Sequence, residues 1–230
     1  MSSFNWKSES ASEWDNRAAF WNKKSRDMWD NGSRKDIVPL LSSHLKQGSK
    51  VLDIGCGDGY GTTKLYQSGF QVTGIDLSEE MIRLANTRRK ERNISFMQGD
   101  VNEIPFEDNY FDAVMAINVL EWVENPLQAI NELKRVVKDG GIICAGVLGP
   151  TAGPRENSYG RLVGEKAICN TMMPWEFRKL AADLGLGYAD GFGVYKEGAK
   201  AVNMESLPTK LKQALTFMWV FLLKKAGESD

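Results

Sequence analysis

The chain is expected to fold as an α/β protein with a doubly wound, mainly parallel sheet and helices on both faces. Two observations lead there. VLDIGCGDGYG, Val51 to Gly61, carries an apolar strand straight into a loop with glycine at every second position, and a helix signal follows in YGTTKLYQ. Beyond it, short apolar strand-like segments alternate with amphipathic helical ones, the pattern that builds parallel sheets. Strand, glycine turn and helix in that order form the nucleotide-binding opening of a Rossmann-like fold.

Ahead of the first strand, residues 1–40 hold Trp6, Trp14, Trp21 and Trp29, four of the seven tryptophans. Trp14, Ala18, Trp21, Met28 and Trp29 fall close to one helical stripe, which is expected to pack on the core and is also a candidate lid over a site. A short pre-strand helix then carries His44, read as a surface histidine. Glycines in the following loop let main-chain N–H groups approach a ligand, and the helix after it aims its first amides at the same spot.

After this opening, QVTGIDLS is a second strand ending in Asp76, where an acid can accept hydrogen bonds from ribose hydroxyls. Ser78 is placed to cap a helix whose first turn holds Glu79 and Glu80, acids that suit the positive end of its dipole. ISFMQGD gives a third strand ending at Asp100, and FDAVMAINVLEWVENP a fourth. Asn125 and Pro126 start a helix with an apolar stripe of Leu127, Ile130, Leu133, Val136 and Val137, which Gly140 is placed to end. A fifth strand leads to residues 149–173, rich in glycine and proline and at the carboxyl end where α/β folds place their ligands.

Further on, PWEFRKLAADL reads as a helix and GLGYADGFGVYKE as a strand. ALTFMWVFLL is too short to cross a bilayer, which takes about 20 residues. Its aromatic and β-branched content favours a buried strand over Thr216 to Lys224 after a short helix near Pro208, with a docked apolar helix as the competing assignment.

Loop spacing narrows the ligand. The dinucleotide fingerprint G-x-G-x-x-G needs glycine at position 60, where Tyr60 stands. A phosphate-cradling P-loop needs lysine before its hydroxyl residue, whereas here Thr62 and Thr63 precede Lys64.

VLDIGCGDG resembles the first motif of the class I S-adenosylmethionine-dependent methyltransferases, and further motifs match in order across residues 50–148. The resemblance implies a seven-stranded sheet with one antiparallel edge-inserted strand, and S-adenosyl-L-methionine as cofactor. It implies that Asp53 orients the loop or the cofactor's amino group, that Gly55, Cys56 and Gly57 cradle the cofactor, and that Asp76, with Leu77 and Met81 beside it, holds the ribose. Asp100 would meet the adenine amine and Val101 the ring, with Asn118 and Val119 at the methionine end. Trp122 and Tyr159 fall on the substrate side, with Arg161 as a further polar group. Members often have His or Ser where this chain has Asn118 and Trp122, so no catalytic residue carries over. Glu121 and His44 are weighed as bases and neither is assigned.

At 230 residues the chain suits one domain with a small appendage. The division expected is an N-terminal helical extension over 1–40 and a cofactor-binding methyltransferase domain over 41–230, with the insertion at 149–173. Lys plus Arg 29 against Asp plus Glu 30 gives no basic excess of the kind nucleic-acid binders carry. The basic run Arg83 to Arg92 is read as a solvated helix face. Cys56, Cys144 and Cys169 with the single His44 show no metal-ligand spacing, so no metal is expected. The polar start MSSFNWKSES lacks an apolar signal core, which makes a reducing cytoplasm the expected setting.

The function expected is methyl transfer from S-adenosylmethionine to an acceptor, a small molecule, with no membrane span. Two other readings stay open: a nicotinamide-dependent (NAD) oxidoreductase, which shares the fold opening, and a non-catalytic S-adenosylmethionine-binding protein.

Overall fold

A computed structural model describes residues 4–88, 94–199 and 201–227. Two helices come first, α1 (Trp6–Asp30) and α2 (Ile37–Ser42), followed by β1 (Lys50–Ile54), α3 (Tyr60–Gln67), β2 (Gln71–Asp76), α4 (Glu79–Arg88) and β3 (Ile94–Gln98). The chain continues through β4 (Phe111–Ile117), α5 (Pro126–Val136), β5 (Val137–Leu148), a 3-10 segment (Gly153–Val163), α6 (Pro174–Asp183), β6 (Leu186–Tyr195), α7 (Thr209–Ala214) and β7 (Thr216–Lys225). The seven strands form one sheet in the order β3-β2-β1-β4-β5-β7-β6, all parallel except β7, which runs antiparallel to both neighbours.

The central strands are apolar throughout because both faces are covered. Along β4, Val114 and Ala116 join one core with Leu52, Ile54, Ile75 and Ile130, Leu133 and Val136 of α5, whose expected stripe residue Leu127 is exposed instead, while Ala113, Met115 and Ile117 join the other with Val51, Val72, α2 and Leu65 of α3. Full burial of a side chain such as Phe221 or Leu52 stabilises the fold by about 1.5–3 kcal/mol each. The terminal apolar run is strand β7, paired through Val220↔Gly146 on one side and Val220↔Phe192 on the other. A strand with partners on both edges and cores on both faces explains that run without a membrane, and no helix among the described residues is long and apolar enough to cross one.

Caps fall where the residue types demand. Asn125 accepts from the Gln128 amide at 3.1 Å to start α5, and the Ser78 hydroxyl accepts from the Met81 amide at 3.0 Å to start α4. Gly140 does not end α5. The helix stops at Val136, and Val137 is already extended (φ −81, ψ 138) and paired with Phe111. The next pair is Ala113↔Ile142, so the residues between Val137 and Ile142 bulge out of β5, and Gly140 (φ +73) makes that bulge. His44 lies two residues past the end of α2, 3.4 Å from the Asp190 carboxylate of β6. In the basic run, Arg83 pairs with Glu80 on the exposed face of α4, and the part beyond Arg88 lies outside the described residues.

Candidate functional site

The carboxyl ends of β1, β2, β3 and β4 meet under α1, and a cavity of about 320 Å³ lies between them. Such a volume is within the range of small-molecule sites. The register Ile54↔Ile75 brings the glycine loop against the end of β2, where the amides of Gly55 and Cys56 both donate to the Ile75 carbonyl, at 2.7 and 3.0 Å. Gly55 has to be glycine: its φ is +69, and a Cβ there would collide with Val119 Cγ2. At Gly57 (φ +55) a Cβ would meet only Met81 Sδ at 3.9 Å, so this stretch of backbone lies bare toward the cavity.

Asp76 ends β2 on the cavity floor. Its Oδ2 accepts from the Gly57 amide at 2.8 Å and its Oδ1 from the Ser78 amide at 2.9 Å. Burial nevertheless outweighs those donors and pushes its pKa up to about 6. Asp100 lies at the end of β3. Its Oδ1 accepts from both the amide and the side chain of Asn102, and its Oδ2 pairs with Lys7 of α1 at 3.1 Å. Asn118, immediately after β4, is held in the left-handed region (φ 55) and takes a 3.4 Å contact from the Arg34 guanidinium.

Gly55, Cys56, Gly57, Asp76, Leu77, Met81, Asp100, Val101, Asn118, Val119 and Trp122 all line this one cavity. Asp53 and Tyr159 do not. Asp53 is 3% exposed beneath the loop, where Thr62 Oγ1 donates to it at 2.6 Å, and burial lifts its pKa to about 7. Tyr159 is 65% exposed on the 3-10 segment and Arg161 is exposed beside it. That segment reaches the cavity through Pro154 instead. Glu121 is fully buried, accepts from the Leu148 amide through Oε1, and has no partner for Oε2 among the described residues; it is absent from the cavity wall, and burial raises its pKa.

The other wall is α1. Trp6, Trp14, Trp21 and Trp29 line the cavity from above, and Trp14 meets the Trp122 ring edge-on at 5.4 Å. Polar side chains fasten the helix to the strand-end loops: Asp15 accepts from the Ser78 hydroxyl at 2.5 Å, the Ser25 hydroxyl donates to Asp58 at 2.6 Å, and Trp6 Nε1 donates to the Trp122 carbonyl at 2.7 Å. Sequence reading missed Asp15, Ser25, Arg34 and Arg155, since each is an ordinary polar residue until the fold brings its partner. Buried Arg155 donates to the carbonyls of Leu148, Gly149 and Met172, which ties the 149–173 segment to the end of β5. Among the described residues no group of three or more His, Cys, Asp or Glu side chains is arranged to hold a metal ion.

Residues 52–145 match the protein family described as "Methyltransferase domain". An uncharacterised methyltransferase of Schizosaccharomyces pombe is 35% identical over 145 residues, covering 56% of this chain and 52% of that protein. A demethylmenaquinone methyltransferase of Staphylococcus haemolyticus is 38% identical over 123 residues, covering 51% of each. The chain spans about half the length of the curated relatives it matches. Among solved structures, a chain from the Haloferax volcanii complex between the Trm112 methyltransferase activator and a methyltransferase superposes with a TM-score of 0.73 at 22% identity, covering 94% of this chain and 98% of its own. At that identity the likeness establishes the fold.

Proposed function

We propose that this chain, which carries a methyltransferase domain over residues 52–145, moves the methyl group of S-adenosylmethionine onto a small-molecule acceptor. One observation carries the reading: the bare backbone at Gly57 and the carboxylate of Asp76 are joined by a 2.8 Å hydrogen bond on the floor of a cavity roofed by tryptophans. The residues present suit the cofactor. The Asp76 oxygens accept from backbone amides of Gly57, Leu77 and Ser78, and with about four lone-pair sites the carboxylate keeps acceptor capacity for a ribose hydroxyl. Asp100, Val101 and Gly99 line the part of the cavity next to β3, where an adenine ring would lie.

When bound, S-adenosylmethionine supplies an electrophilic methyl group on a sulfonium that departs as a neutral thioether. The protein's share is then position and a dry site. Asp76 and the glycine loop orient the nucleoside. Val119, packed over Gly55, and left-handed Asn118 shape the wall next to it. Trp14, Trp122, Leu148, Pro154 and Phe217 line the apolar remainder, which is where an acceptor would be desolvated. In this reading α1 is a lid, fastened by Asp15, Ser25 and Trp6 and released when ligands exchange.

The apolar lining of Trp14, Trp122, Leu148 and Phe217 supports a small acceptor, as does a relative named for demethylmenaquinone. A formal charge of −1 gives no attraction for a polyanion. Three buried cysteines, all free, suit the reducing cytoplasm we infer as the setting. Incubation of the protein with methyl-labelled S-adenosylmethionine and fractionated metabolite extracts tests the reading: label should enter a small-molecule fraction in proportion to enzyme. Binding of the donor without transfer to any fraction would leave a binding protein and remove the proposed activity.

A further inference from the structure

The 3-10 segment that supplies Pro154 to the cavity wall turns a bare apolar face outward. Tyr159 is 65% exposed, Leu162 69% and Val163 62%. Residues three apart in a 3-10 helix stand one above the other, so Tyr159 and Leu162 share a face. The segment is fixed from within, where Arg155 donates to the carbonyls of Leu148, Gly149 and Met172. It is fixed from the side by α1, whose Arg17 donates to Asn157 Oδ1 at 3.2 Å; one turn beyond Arg17, Phe20 is 59% exposed. Four large apolar side chains are thus held outward on two elements joined by a hydrogen bond.

The charges around them are mostly positive. Exposed Arg161 and Lys166 flank Leu162 and Val163, and exposed Lys23 and Lys24 lie three and four residues beyond Phe20, on its side of α1. Glu156 and Glu165 are the exposed acids of the segment, while Arg17 is already paired with Glu13 and, further along α1, Arg26 and Asp27 offset each other. The chain as a whole has a formal charge of −1, yet this face carries four cations against two acids.

A stable protein partner would bury about 800 Å² of this chain, and lysine is depleted from such interfaces. Four protruding side chains offer roughly 400–500 Å². That is enough for shallow insertion at the boundary between lipid headgroups and acyl chains, with lysine and arginine meeting anionic headgroups beside it. We propose that Tyr159, Leu162, Val163 and Phe20, with the four cations around them, dock this face of the protein on an anionic lipid bilayer. Docking of this kind is independent of the methyl-transfer reading and needs no cofactor.

The test is flotation of the full chain with vesicles of phosphatidylcholine alone and of phosphatidylcholine and phosphatidylglycerol in equal parts. Wild type is expected to float with the mixed vesicles, about tenfold less with phosphatidylcholine alone, and to be released by salt, which screens surface charges. Leu162→Ser/Val163→Ser should lower binding to the mixed vesicles about tenfold by removing inserted side chains. Lys23→Glu/Lys24→Glu should remove the preference for phosphatidylglycerol. The substituted side chains are exposed, so both variants should unfold at the wild-type temperature; if one does not, the other decides. Wild type that floats with neither vesicle, or variants that float as wild type does, overturns the proposal. Light scattering covers the other occupant: a wild-type dimer that Leu162→Ser/Val163→Ser abolishes gives the patch to a second copy of the chain and overturns the proposal as well.

Discussion

The Gly57 amide donates to Asp76 Oδ2 at 2.8 Å, so the glycine loop after β1 and the acid that ends β2 are a single hydrogen-bonded unit. Asp76 therefore does two jobs. It fixes the path of the loop, and it presents acceptor capacity to the cavity. Asp76→Ala should weaken S-adenosylhomocysteine binding by roughly 1.5–3 kcal/mol, the scale of hydrogen bonds to a charged group. Asp76→Asn, which can still accept through one oxygen, should lose less. Calorimetry at pH 7.5 measures both.

The same acid sets a pH dependence. With its pKa near 6 in the free protein, Asp76 is ionised at neutral pH and becomes protonated as the pH falls through that value. Protonation removes the charge and turns one of the two acceptor oxygens into a donor, so affinity should be flat above about pH 7 and decline below about pH 6. Asp76→Asn should flatten the profile. A titration series from pH 5 to pH 8 reads this directly, and an unchanged slope in the variant would reassign the titrating group.

Gly55 is under a double constraint, a positive φ and Val119 Cγ2 where its Cβ would stand. Gly55→Ala should destabilise the fold by about 1–3 kcal/mol, through backbone strain and overpacking together. In a Gly55→Ala/Val119→Ala pair the collision is gone and the strain remains. Chemical denaturation should thus show the second substitution costing less in the Gly55→Ala background than in wild type.

Asp53 lies under the loop with its pKa raised to about 7 by burial. An acid whose folded pKa exceeds its unfolded value of 3.8 costs stability as its charged form is imposed. Its unfavourable contribution therefore grows as the pH rises from about 4 to 7 and is complete above that. Asp53→Asn keeps a partner for the Thr62 hydroxyl without the charge, so it should gain stability relative to wild type at pH 8 and much less at pH 4. Denaturation midpoints at the two pH values check the sign.

Trp14 is partly buried, faces the cavity from α1 and meets Trp122 edge-on. Trp14→Ala should open the apolar end while leaving Asp76 and the loop intact. Methyl transfer to an acceptor should fall at least tenfold, with S-adenosylhomocysteine affinity changed by less than about threefold. Equal losses in both would place Trp14 with the cofactor instead.

How far the sequence discloses this molecule depends on the range of each interaction. The sheet was legible because VLDIGCGDGYG, QVTGID and FDAVMAI are local patterns, and the terminal TFMWVFLLK declared itself by its residue types. Cavity residues Gly55, Gly57, Asp76 and Asp100 were legible because each lies at or just after the carboxyl end of a strand that its own local pattern reveals. Gly140 misled because a positive-φ glycine ends a helix or makes a bulge equally well, and only pairing of Val137 with Phe111 decides. Tyr159 looked suited to a ligand, yet the anchoring of its segment by Arg155 to three carbonyls leaves Pro154 inside and Tyr159 outside. Arg34 gave no signal, because its contacts with Trp21, Trp29 and Asn118 exist only once the fold brings the turn after α1 over the end of β4.

The most direct test of methyl-donor binding at this cavity is a side-by-side calorimetric titration of the wild-type chain with S-adenosylmethionine, S-adenosylhomocysteine and NADH. The expected result is saturable one-to-one binding of the two sulfur nucleosides, weakened in Asp76→Ala, and no heat from NADH. Binding of NADH with no response to either sulfur nucleoside would contradict the cofactor assignment and the methyl transfer built on it.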